Sequence, residues 1–99
     1  MSILEIGMDS KIDNNLADFF DVITENVKRE RKARNISQLK LANILGHQSP
    51  AYVAKIELRN DNAQYNLVHL HTIASEFGIS IYKLIPEKYT YKFIPSGSS

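Results

Sequence analysis

From Leu16 onward, apolar residues recur every three or four positions, and that period predicts helices. Phe20, Ile23 and Val27 lie on one track that Arg31 and Arg34 extend, so residues 17–34 read as a first helix. Asn35 follows, a residue type that tolerates the left-handed conformation ending many helices. Ser37 caps a second helix over 38–45, with Leu41, Ala42 and Leu45 facing inward, and Gly46 stops it. Ser49 and Pro50 suit the N-cap and first position of a third helix, 50–58, whose inner positions are Val53 and Ile56. Beyond the polar loop 59–64, Asn66 caps a fourth helix with the apolar stripe Leu67, Leu70, Ile73, Ala74 and Phe77. Gly78 ends it, and Ser80 opens a short fifth helix, 81–85, closed by Pro86.

The two ends follow other rules. Residues 1–16 mix Ile and Leu with Gly7, Asp and Asn without a lasting period, and read as an irregular, acidic arm. In the tail, 87–99, Tyr89, Tyr91 and Phe93 alternate with Thr90 and Lys92, the period of a half-buried strand. A lone strand has no ladder partner inside a helical domain. Two arrangements satisfy the pattern: strand exchange with a second copy across a dimer, or an aromatic tail laid over the helices.

At 99 residues and 43% hydrophobic, the chain is one small folding domain, 17–86, between an arm and a tail. A chain this short buries a limited fraction of its surface, so pairing with a second copy is a natural source of stability. No run approaches the 18 apolar residues of a membrane span, and Glu5 and Asp9 sit where a secretory leader would be basic. With no cysteine there is no disulfide, thiolate chemistry or cysteine-ligated metal, and the expected compartment is cytoplasmic. The net charge of +1 hides a separation. Residues 1–26 hold six acids against Lys11 alone, while residues 27–61 hold eight bases against Glu30, Glu57 and Asp61. The basic stretch reads either as a surface for a polyanion or as a solvated helix face that the acidic arm offsets.

Helices two and three are short, adjacent and joined by a tight link through Gly46, the organisation of a helix-turn-helix over 38–58. The ordered elements are Ile36-Ser37-Gln38, Leu41-Ala42, Leu45-Gly46, Tyr52-Val53-x-Lys55-Ile56-Glu57 and Ile73-Ala74-x-x-Phe77-Gly78-Ile79-Ser80. Over residues 20–85 their succession resembles the lambda-repressor-like family, also called Cro/repressor or XRE-type. That resemblance implies an all-α, five-helix domain, here flanked by the irregular N-terminal arm and by the C-terminal tail, whose strand period leaves dimerisation as one of its two arrangements. It implies sequence-specific binding of double-stranded DNA by a homodimer on a palindromic operator, and transcriptional regulation, chiefly repression.

Residue roles follow from the same resemblance. Gln38, at the start of helix two, grips a phosphate, and Ser49, Pro50, Ala51 and Tyr52 stand where base edges are touched. Lys55, one turn on, reaches a base edge or the flanking backbone. Arg31 and Glu57 hold the places of a buried ion pair. The loop after Glu57 runs along the DNA backbone in the family, which makes Arg59, Asn60 and Asn62 phosphate contacts. Dimerisation falls to Ile81, Leu84 and Ile85, with Tyr89, Tyr91 and Phe93 from the tail.

Side-chain chemistry adds its own constraints. Pro50 and Ala51 touch only thymine methyls or fill space, so direct reading falls to Gln48, Ser49, Tyr52 and Lys55, with Gln48 suited to adenine and Lys55 to guanine. Tyr52 has two placements, on the DNA side or turned inward. Arg31 lies on the apolar track, where a free guanidinium is costly; Glu57 offers two acceptors, the alternative being rotation toward the basic patch. Lys28 and Lys32 share a face, either grazing phosphate or solubilising it, and His47 in the turn is placed to donate to phosphate. Two departures from the family stand out: the link from Gly46 to Val53 is one residue longer than usual, and the loop after Glu57 is one or two longer.

Enzyme chemistry finds no support. His69 and His71 lie about 200° apart around a helix and cannot share a metal, and there is no HExxH, carboxylate pair or glycine-rich phosphate loop. No enzyme activity, cofactor, metal or small-molecule ligand is expected. The Pro50-Ala51 face and the acidic segment motivate one alternative: an antitoxin-type or other interaction module whose arm or tail binds a partner protein, with DNA reading secondary or lost.

Overall fold

Four α-helices and two 3-10 turns make up the structure, a computed structural model that describes residues 2–87, 89–90 and 93–95, with side chains from Leu16 onward. Helix α1 spans Ser2–Ala33, α2 Gln38–Ile44, α3 Ala51–Glu57 and α4 Leu67–Phe77; the 3-10 turns are Asn60–Asn62 and Ile81–Lys83. The core draws on every helix: Ile23 and Val27 from α1, Leu41 and Ala42 from α2, Val53 and Ile56 from α3, and Leu70, Ile73, Ala74 and Phe77 from α4. These are among the positions that the 3–4 period marks as inward; Leu67, expected on the same stripe, is 72% exposed at the start of α4, and Phe20 and Leu45 are half-buried.

Three expectations are corrected. Residues 2–15, read as an irregular arm, are the first turns of α1. Residues 2–33 contain no proline, and Gly7 alone costs about 1 kcal/mol relative to alanine. Each residue added to a nucleated helix closes another backbone bond, so the helix propagates without an apolar period to guide it.

The fifth helix, 81–85, is only the 3-10 turn Ile81–Lys83. Ser80 Oγ accepts from the Tyr82 N–H at 3.1 Å, but Pro86 disfavours helical backbone at Ile85, and too few residues remain for a second turn. Leu84, expected at a dimer surface, is fully buried in the core, while Ile81 and Ile85 are half-buried.

The tail forms no strand among the described residues. Tyr89 lies edge-on to Phe19 with ring centroids 5.3 Å apart, and its hydroxyl donates to the Asp18 carboxylate. With an aromatic and a polar partner on α1, Tyr89 needs no ladder. Phe93 is 83% exposed, and Tyr91 lies outside the described residues.

Chain direction between the helices is set locally. Asn35 takes φ 56° and ends α1, with Ile36 N–H bonded to Arg31 O and Asn35 N–H to Lys32 O, both at 3.0 Å. Ser37 Oγ then caps α2 by accepting from Lys40 N–H at 3.0 Å.

One buried polar cluster ties these junctions together. Arg31 Nε and Nη2 donate to Glu57 Oε2 and Oε1 at 2.9 and 3.0 Å, with side chains only 8% and 5% exposed. Arg31 Nη1 also donates to Ile36 O at 2.7 Å, and Gln38 Nε2 donates to Glu57 Oε1 at 2.8 Å. The end of α1, the start of α2 and the end of α3 are thus fastened to one carboxylate. Removing one member strands a buried charge, so Glu57→Ala is expected to cost about 3–5 kcal/mol. Chemical denaturation checks it, and a loss below about 1 kcal/mol would show that the pair carries little of the fold.

Candidate nucleic-acid interface

The turn between α2 and α3 begins at Gly46, whose φ of 91° suits glycine, and His47 N–H bonds back to Ala42 O at 2.8 Å. The helix starts one residue later than its sequence suggests: Pro50 is the N-cap, and Ser49 Oγ accepts from Ala51 N–H at 3.0 Å. Seven residues of α3 then divide cleanly. Val53, Ile56 and Glu57 are buried, Ala51 and Lys55 are exposed, and Tyr52 and Ala54 are half-buried.

On the outer side, His47, Gln48, Ser49, Ala51, Tyr52 and Lys55 line a recess of about 360 Å³. The residues expected to touch base edges are therefore brought together, with Pro50 exposed between Ser49 and Ala51. Neither placement considered for Tyr52 is fully realised. Its ring stacks on His47, centroids 4.0 Å apart and planes 11° apart, and meets His69 edge-on at 5.6 Å. His69 in turn contacts Tyr65 at 6.2 Å, so rings connect the recess to the core.

His69 also closes the start of α4. Asn66 Oδ1 accepts from His69 N–H at 2.8 Å, and Asn66 N–H donates to His69 Nδ1 at 3.2 Å, a reciprocal capping box. The acceptor role needs Nδ1 without a proton. Burial, reinforced by the nearby His47, lowers the imidazole pKa. The sequence signal was masked because this position usually carries Glu or Gln. The Tyr65 hydroxyl is buried without a hydrogen-bond partner among the described residues, and burial followed by the Glu57 charge raises its pKa.

The expected phosphate contacts behave differently. Gln38 directs its amide N–H to Glu57 rather than outward. Arg59 is engaged by α1: Nε donates to Asp21 Oδ1 at 2.5 Å, and Nη2 to Asp21 O and Glu25 Oε2, both at 3.1 Å. Burial opposes the Arg59 charge, but hydrogen bonds to Glu25 and Asp21 prevail and raise its pKa. Asn60 and Asn62 are exposed, Lys32 is exposed, Lys28 is half-buried, and His47 belongs to the recess. Lys55 Nζ lies 3.7 Å from Asp61 Oδ2, a residue that sequence reasoning did not single out. Its one signal was the Asn60-Asp61-Asn62 run, rich in residues that accept left-handed backbone.

Among the described residues no group of His, Cys, Asp or Glu is arranged to hold a metal ion, and no helix is long and apolar enough to cross a membrane. The neutral His69 cap has a pH signature. Because its folded pKa lies below the ordinary 6.5, the unfolded chain binds the proton more readily. The cap's contribution is complete above about pH 6.5 and is lost as pH falls. The thermal midpoint should thus drop between pH 7 and pH 5, and His69→Gln, which keeps a capping acceptor, should flatten that drop. An equal drop in the variant would show that His69 is not its source. Comparison with known protein families, curated proteins and solved structures gives no match.

Proposed function

We propose that this protein is a sequence-specific, double-stranded DNA-binding regulator of the lambda-repressor-like type, reading DNA with α3. The observation that carries the reading is the outer side of α3 and the turn before it, where His47, Gln48 and Ser49 of the turn and Ala51, Tyr52 and Lys55 of the helix line one recess while the Arg31–Glu57 pair holds the helix from behind. A short helix presented this way fits the major groove, where Gln48 has an amide for adenine and Lys55 an ammonium for guanine.

The active form in this reading is a homodimer on an inverted repeat, with half-sites about one helical turn apart. Ile81 and Ile85 supply apolar surface for it, beside Tyr82, which is 75% exposed. Occupying an operator that overlaps a promoter represses it.

Selection from a random duplex library, with each enriched site titrated at two salt concentrations, tests the reading. An inverted repeat bound at both supports it; weak, sequence-blind, steeply salt-dependent binding overturns it. On the selected site, Gln48→Ala should remove about 1–3 kcal/mol of discrimination at one base pair per half-site, leaving the others unchanged.

A second reading, a protein-binding module of antitoxin type, draws on the length of α1. Helical backbone to Ser2 puts Glu5, Asp9 and Asp13 at four-residue intervals along one line of the helix. Retention of a basic partner protein by the full chain but not by a chain beginning at Leu16, with no duplex enriched, would favour it.

A further inference from the structure

The link between α3 and α4 adopts costly backbone. Arg59, Asp61 and Asn62 have φ of 57°, 54° and 57°, in the left-handed region, and none is glycine. The conformation of Arg59 is supported by its bonds to Asp21 and Glu25. Asp61 has no such support. Its side chain is 85% exposed, and its ion-pair partner is Lys55 Nζ, 3.7 Å away and itself half exposed. An exposed pair at that distance adds little to stability. Its effect falls on the charge of the recess, because Lys55 is the one Lys or Arg lining it.

We propose that Asp61 is a specificity-determining residue of the α3 interface, shielding Lys55 so that the ammonium is released to a matching base edge and not to any phosphate. The inference rests on the reading of α3 as a DNA-contacting helix. Sequence-independent affinity comes from cations replacing the counterions of phosphates, and a carboxylate beside the cation reduces that gain. At a matching site the lysine recovers what it leaves, through the hydrogen-bond acceptors of guanine. Wrong sequences offer no such recovery. Specificity is a difference between affinities, so weakening the wrong complexes raises it as surely as strengthening the right one. Asp61 holds this place on left-handed backbone, which Asp accepts more readily than most residues.

Asp61→Asn in the full chain removes the charge and keeps a residue at ease with positive φ. Its affinity is measured for the selected duplex and for a random-sequence duplex of equal length, across a salt series. Random-duplex affinity should rise roughly three- to tenfold at low salt, with a salt dependence steeper by about one counterion. The ratio of selected to random affinity should fall. In a Lys55→Ala background the same substitution should change random-duplex affinity far less, because the shielded cation is gone. Unchanged random-duplex affinity in Asp61→Asn, or an equal rise without Lys55, would overturn the proposal. If the wild-type chain binds neither duplex, the DNA-binding reading itself fails, and this inference with it.

Discussion

Burying two charges is expensive, because each loses its hydration, and Arg31 and Glu57 meet that cost with a forked pair of hydrogen bonds. Much of the architecture depends on this pair. Glu57 is the last residue of α3, so anchoring it to α1 fixes the direction in which that short helix leaves the core. The remaining Arg31 donor holds Ile36 O in the link to α2, and Gln38 brings the first residue of α2 to the same carboxylate. A seven-residue helix has little stability of its own. Here its inner side is fixed by Val53, Ile56 and a charged pair, which leaves its outer side a defined surface.

The separation of charge along the chain is partly cancelled in space. Arg59, from the basic stretch, is held by Asp21 and Glu25 of the acidic one. Arg34 bonds Glu30 and lies over the Phe77 ring at 5.0 Å, while Arg31 is buried. Three arginines thus serve the fold, and exposed cations such as Lys32, Lys40 and Lys55 are left at the surface. The stacked His47 and Tyr52 rings hold one wall of the recess in place.

Most of the helical core was legible in the sequence, because it is written in local periods and caps. The 3–4 spacing placed Val27, Leu41, Val53, Ile56, Leu70 and Ile73 inside, where they are found. Asn35, Ser37, Asn66 and Gly78 act within one turn of their own positions, so their roles could be read from neighbours alone. The Arg31–Glu57 pair was legible for a different reason: a charge on an apolar track demands a partner. By contrast, the absence of an apolar period in residues 2–15 was misleading, since backbone bonding alone propagates a helix once it is nucleated.

The sequence by itself determined most of the residues that are buried, where α2 begins, where α4 starts and stops, and which residues gather at the turn before α3. Tertiary structure alone decided what Gln38 and Arg59 do. Gln38 is 19 residues from Glu57, and Arg59 is 38 from Asp21 and 34 from Glu25. Arg59 lies in a polar loop, off any apolar track such as the one that marks Arg31, so nothing in its local chain shows that it will meet carboxylates across the fold. The same holds for Leu84, drawn into the core, and for Tyr89, which finds Asp18 from 71 residues away. Burial periods are repeated in every turn of a helix and leave a trace in sequence, whereas a long-range hydrogen bond is a single coincidence of two flexible side chains that exists only once the backbone is folded.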